Sequence, residues 1–295
     1  MRHLLCCCIA GIVLFPVVSG GQDPQTMEER IAAGIAADNA LAQELRAEGV
    51  KHESGNSILW AEKGTLAEEE LADFARLAAQ AIDGIQKLLG ITFDRQHFKA
   101  DKIEYFISSK AAISHAHRDG LQPFVYITPD RIKNKRAPYV HETTHTLVRW
   151  RDHPVWLQEG LPTYVQEAVV AKYGGYNWSP GNPEGKPIDA LAREYLATEM
   201  GKKAVALVGH PALSRDSSGE TMAMFRPILQ DRTLGAPAFY NLSASFVKYL
   251  ADKSGAQTLV TLCKAEDVAL ALRTATGKTI EQWKTEWLEF LSNPR

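Results

Sequence analysis

Residues 138–165 read PYVHETTHTLVRWRDHPVWLQEGLPTYV, and the organisation of the whole chain can be worked out from this stretch. Pro138 suits the first turn of a helix, and Val140, Leu147 and Val148 supply apolar side chains to pack it. On such a helix His141 and His145 stand four residues apart, so both imidazoles leave one face about one turn apart and can grip a single metal ion. Glu142 then stands beside the metal without ligating it, placed to take a proton from a water. Asp152, His153 and Pro154 break the first helix, and Pro154 can start a second one that returns Glu159 toward the first. Nine histidines in 295 residues make a chance HExxH roughly a 2% event. Coincidence is therefore a poor account of the motif.

Two histidines alone do not make a catalytic metal site. Three protein ligands and one open position do, and two histidines with a glutamate are a standard set for one Zn²⁺. Glu159, fourteen residues after His145, is the expected third ligand. His153 is the alternative, but it follows His145 by only eight residues and falls inside the turn. Arg151 occupies the position six residues on where some sites carry a third histidine. Pro162 lacks an N–H and crowds the carbonyl of Gln158, so the second helix is expected to kink or restart there.

Upstream, residues 26–48 are alanine-rich, with Met27, Ile31, Ile35, Leu41 and Leu45 near helical spacing before Gly49. This predicts a helix packed on the main body. SILWA at 57–61 predicts a strand, and Thr65 with Glu68 has the form of a capping box for a long helix striped by Leu71, Phe74, Ala78, Ile82, Ile85 and Leu89. IEYFIS at 103–108 and FVYIT at 124–128 predict two further strands. The second is read as an edge strand beside the site, able to hold an extended peptide. Everything after Pro138 reads as mainly helical. The fold class is α+β: a small mixed sheet with an edge strand beside the HExxH helix, then a helical C-terminal subdomain. Residues 21–50 form an N-terminal helical segment ahead of a domain over 51–295, in which 51–172 carry the sheet and active-site helices and 188–295 the helical subdomain. Between them, residues 173–187 hold four glycines and three prolines and read as an exposed or lid-like loop.

Composition bounds the partners. The chain is 45% hydrophobic and 23% charged with a formal net charge of −2, so nothing in it points to nucleic acid. Arg2, the uncharged run Leu4 to Val18 and small residues at 18–20 predict a signal peptide over residues 1–20. That places the mature protein outside the cytoplasm, secreted or periplasmic, without a membrane span; anchoring by an uncleaved leader is the minor alternative. Cys6, Cys7 and Cys8 fall in the leader, leaving Cys263 as a small buried side chain.

HETTH followed by WLQEGLPTYV resembles the gluzincin zinc metallopeptidases of the peptidase MA superfamily, in which HExxH and a downstream glutamate hold zinc. YNLSASFVKYL at 240–250 is similar to a helix of the aminopeptidase-N-like members. The resemblance implies that Tyr240 hydrogen-bonds the developing oxyanion; the competing reading is a tyrosine capping a core helix. TLVTLCKA and GKTIEQWKTEWLEFL resemble the closing helices of the same group, and Thr279 with Gln282 has the form of a capping box. The GxMEN signature of the aminopeptidases is absent, so aminopeptidase activity is not implied. The resemblance implies a zinc-dependent peptidase acting on peptide or protein substrates. A catalytically inactive zinc-binding or partner-binding module on the same scaffold is the alternative.

Overall fold

A computed structural model describes residues 27–148, 154–210 and 220–293 of the chain. The expected leader over residues 1–20 lies outside them. No described helix is long and apolar enough to cross a membrane. The chain divides into two compact units: described residues up to Ile82 with Asp94–Thr146, and Asp83–Phe93 with described residues from Leu147 onward. The architecture is α+β, as expected.

The first unit opens with helix α1 (Met27–Glu48), then strands β1 (Val50–Ser54) and β2 (Ser57–Ala61) and helix α2 (Glu68–Leu89), whose last residues belong to the second unit. After α3 (Arg95–Phe98) come β3 (Ile103–Ile107), β4 (His115–Ala116), β5 (Phe124–Ile127), the short α4 (Pro129–Lys133) and α5 (Tyr139–Leu147). The sheet order is β1-β2-β3-β5-β4. β2, β3 and β5 run parallel at its centre, and β1 and β4 pair antiparallel at its margins.

Burial explains which strands are legible. β5 is buried throughout and β3 almost so, giving the continuous apolar runs of strands covered on both faces. One face packs Phe106, Phe124 and Tyr126 against Ala42 and Leu45 of α1. On the other, Tyr105 meets the Phe74 ring of α2 edge-on at 6.4 Å and hydrogen-bonds Thr143 of α5 at 2.6 Å. Leu71, Phe74, Ala78, Ile82, Ile85 and Leu89 are all buried, confirming the α2 stripe.

Two expectations are corrected in this unit, and one strand is added to it. Residues 124–127 are not an edge strand: β5 lies between β3 and β4. The edge beside α5 is the two-residue β4, too short to show alternation. The strand β1 was not foreseen because VKHES carries its polar residues on an exposed margin, although Gly55 at φ 48° marks its hairpin turn. Thr65 does not cap α2; its hydroxyl donates to the Glu62 carbonyl, and the helix starts at Glu68 with Glu70 accepting from the Ala67 amide.

The second unit is helical: α6 (Val155–Tyr173), α7 (Ile188–Leu196), α8 (Glu199–Leu207), α9 (Glu220–Gln230), α10 (Gly235–Ser254), α11 (Ala256–Lys264), α12 (Val268–Thr276) and α13 (Ile280–Ser292). The central helix α10 is buried over most of its length and packs against α6, α7 and α8. Gly160 permits the closest approach, since a Cβ there would fall 2.8 Å from the Ser243 backbone. Helix α6 continues through Pro162 instead of restarting. Leu161 through Gln166 are all buried, and their packing outweighs the roughly 3 kcal/mol helix cost of an interior proline. In α13 the capping box of Thr279 and Gln282 is present, and Ile280, Trp283, Trp287 and Leu291 are buried. Cys263 is buried as expected.

The segment 174–187 is irregular, as expected, and is tied down by hydrogen bonds. Gln166 donates to the Tyr176 carbonyl at 2.6 Å and Asn241 to the Pro180 carbonyl at 2.7 Å, which ties the loop to α6 and α10. Asn182 both donates to the Lys186 carbonyl and accepts from its amide, and Ser179 and Asn182 are buried.

Candidate metal centre

Helix α5 is buried on all sides, Tyr139 through Leu147. Such a helix needs its polar side chains satisfied locally. Thr143, Thr144 and Thr146 each donate to the carbonyl four residues back, at 2.6, 2.8 and 3.2 Å. This frees the helix to carry charged chemistry without stranded hydroxyls.

His141 and His145, 2% and 3% exposed, leave α5 on one face with their Nε2 atoms 3.1 Å apart. Two nitrogens at that separation, each about 2.05 Å from one ion, subtend an angle of roughly 100°, within reach of tetrahedral geometry. Glu159 is fully buried on the first turns of α6. Ligand atoms of His141, His145 and Glu159 all lie within 4.8 Å of one another, a buried cluster that could hold a metal ion. Two neutral imidazoles and a carboxylate suit zinc, and a buried carboxylate is stabilised by a bound cation. The donor set fits. His153 lies outside the described residues.

Glu142 is 4% exposed and turns toward the sheet margin. Its Oε2 accepts the amide N–H of Ala116 at 2.9 Å. Tyr240, the sixth residue of α10, is 9% exposed, with its ring edge-on to Phe239 at 6.4 Å. The expected ligands are thus brought together, Glu142 is held at β4, and Tyr240 takes a buried place in the helical unit.

Several residues around β4 escaped the sequence reading. His115 and His117 flank Ala116 and are buried. His115 Nε2 lies 3.0 Å from Asp38 Oδ1 and its Nδ1 2.9 Å from the Ile113 carbonyl. Arg118 also pairs with Asp38. Burial works to raise the Asp38 carboxyl pKa, but the hydrogen bonds and charges of His115 and Arg118 outweigh it and hold the group below the usual carboxylate range. Two signals were there to be read: an aspartate on the packed face of α1, and histidines spaced by two, as on one face of a strand.

No protein-family model matches the chain, and no curated protein sequence is significantly similar to it.

Proposed function

We propose that the chain is an extracytoplasmic zinc-dependent peptidase. The observation that carries this reading is the buried cluster of His141, His145 and Glu159, whose two histidines share helix α5 with a glutamate held by a strand amide. A zinc ion held by those three side chains would supply Lewis acidity toward a peptide carbonyl and a water. Glu142 takes the proton of the attacking water and passes it to the leaving amine. The Ala116 amide keeps the carboxylate pointed while it does so. Tyr240 donates a hydrogen bond to the oxyanion, as the gluzincin resemblance implies. Substrate backbone runs along the sheet margin at β4, not along β5, whose neighbours already occupy both sides. The leader at residues 1–20 directs the protein out of the cytoplasm.

Glu142 separates this reading from an inactive zinc-binding module, because a purely structural site has no use for an acid beside its ligands and is usually closed by a fourth protein ligand. Glu142→Gln should keep one zinc per chain by elemental analysis and lose at least a hundredfold in hydrolysis of a broad protein substrate. Undiminished hydrolysis would refute the mechanism.

A further inference from the structure

We propose that Asp38 and His115 are positioning residues that act through β4 to hold the Ala116 amide on the Glu142 carboxylate. The activity arm of this inference rests on the peptidase reading above; the structural arm does not.

A strand of two residues is weakly fixed by its ladder. β4 has only the pairs His115 with Tyr126 and Ala116 with Val125, extended by the His117 amide donating to the Phe124 carbonyl at 2.9 Å. In an antiparallel pair, successive residues point their backbone groups to opposite edges. His117 therefore faces β5, and Ala116 faces outward, where Glu142 accepts its N–H. A slip of one residue would present the wrong edge and remove that donor.

Side chains supply the missing constraint. The residues on either side of Ala116 are both buried histidines, and both reach α1, at consecutive positions. His115 Nε2 is 3.0 Å from Asp38, and His117 Nε2 is 3.3 Å from the Asn39 side-chain oxygen. Each ring is fixed again at its other nitrogen, His115 by the Ile113 carbonyl at 2.9 Å and His117 by Asp119 at 2.6 Å. His115 also stacks on Tyr126 at 4.8 Å and 13°. Asp38 is the common post. It takes His115 and Arg118 on one carboxylate oxygen, while its carbonyl accepts the Tyr126 hydroxyl at 2.9 Å.

Apolar packing could cover the same area at no less stability, since buried ion pairs are often replaceable by hydrophobic residues. It would not be directional. Hydrogen bonds at both nitrogens of two rings set the strand's height and register, and an error of about 1 Å in placing a catalytic group can cost about a hundredfold in rate. The position of Glu142 is thus set in part from α1, about a hundred residues away in sequence.

The test uses the full-length protein as purified, with Asp38→Asn and, should that variant fold poorly, His115→Phe, which keeps a ring on Tyr126 but loses both hydrogen bonds. Amide hydrogen exchange at Ala116, followed by NMR on uniformly ¹⁵N-labelled protein, should accelerate at least tenfold. Tyr105 and Phe106 in β3 should keep their protection. Unchanged exchange at Ala116 overturns the proposal, and so does a general loss of protection across β3 and β5, which marks a merely structural role. In the activity arm, kcat on a peptide substrate should fall at least tenfold with KM and zinc content unchanged. The same change made in Glu142→Gln should cost nothing more. An unaltered kcat in an active protein also overturns the proposal. If no hydrolysis is found but Ala116 exchange accelerates selectively, the brace stands and the peptidase reading falls.

Discussion

Gly160 on α6 faces Ser243 on α10 so closely that any Cβ would sit 2.8 Å from the Ser243 carbonyl carbon and oxygen and 3.0 Å from a Val247 methyl. The first two atoms are backbone and cannot swing aside. Gly160→Ala gains helix propensity worth about 1 kcal/mol, but forcing two buried helices apart costs typically 1–3 kcal/mol or more. The clash should win. The expected result is a fall in the thermal midpoint of several degrees, at roughly 2–4 °C per kcal/mol for a chain of this size. Because Glu159 is the preceding residue, zinc affinity should fall with it. A midpoint equal to or above that of the parent would show that α6 and α10 separate without penalty.

A glycine inside a helix reads as a small loss of propensity, and its purpose appears only when the partner helix is known. Signals of fixed spacing were different. The i, i+4 histidines, the α2 stripe and the Thr279 capping box rest on local periodicity, and each appears where the pattern puts it. β5 was found as a strand but misplaced as an edge, since edge position depends on pairing with the two-residue β4. At Pro162, local propensity predicts a kink or a restart, and burial along α6 carries the helix through without a restart. Asp38, His115 and His117 are far apart in sequence or unremarkable singly, and the contacts that give them meaning are tertiary.

Metal binding should be visible as stability. A ligand that binds only the folded state adds RT ln(1 + [L]/Kd), about 2.7 kcal/mol at a hundredfold excess over Kd. Zinc at that excess should raise the thermal midpoint by roughly 5–10 °C, and a chelator should return it. Glu159→Ala, His141→Ala and His145→Ala should each abolish the increment and bring zinc content well below one per chain. Full occupancy in Glu159→Ala would mean that the third ligand is another group.

The acid side of the stability profile should carry the signature of Asp38. Its folded-state pKa is lowered by His115 and Arg118 against the opposing effect of burial. A depressed carboxylate contributes stability that is fully present above its unfolded value of about 3.9 and is lost as pH falls through the folded value. In urea titrations the margin of the parent over Asp38→Asn should therefore shrink progressively as the pH falls below about 4. A margin that held flat into strong acid would mean that charge on Asp38 contributes nothing to its pairing.

Glu167 should behave in the opposite sense. On α6 it is partly buried, and desolvation raises its carboxyl pKa despite the Ile188 amide donating to Oε2 at 2.6 Å. An acid whose folded pKa exceeds its unfolded one favours the native state when protonated, and that contribution is lost as pH rises through the folded value. At pH 7 the ionised side chain is thus a net burden on the fold. Glu167→Gln keeps an oxygen to accept the Ile188 amide and removes the charge, so it should raise the thermal midpoint at pH 7 by about a degree or more. The advantage should vanish below about pH 4, where the parent's own carboxyl is protonated. A variant less stable than the parent at pH 7 would instead show that the ionised carboxylate is needed by the α7 terminus, through its charge on the Ile188 amide and the neighbouring Lys248.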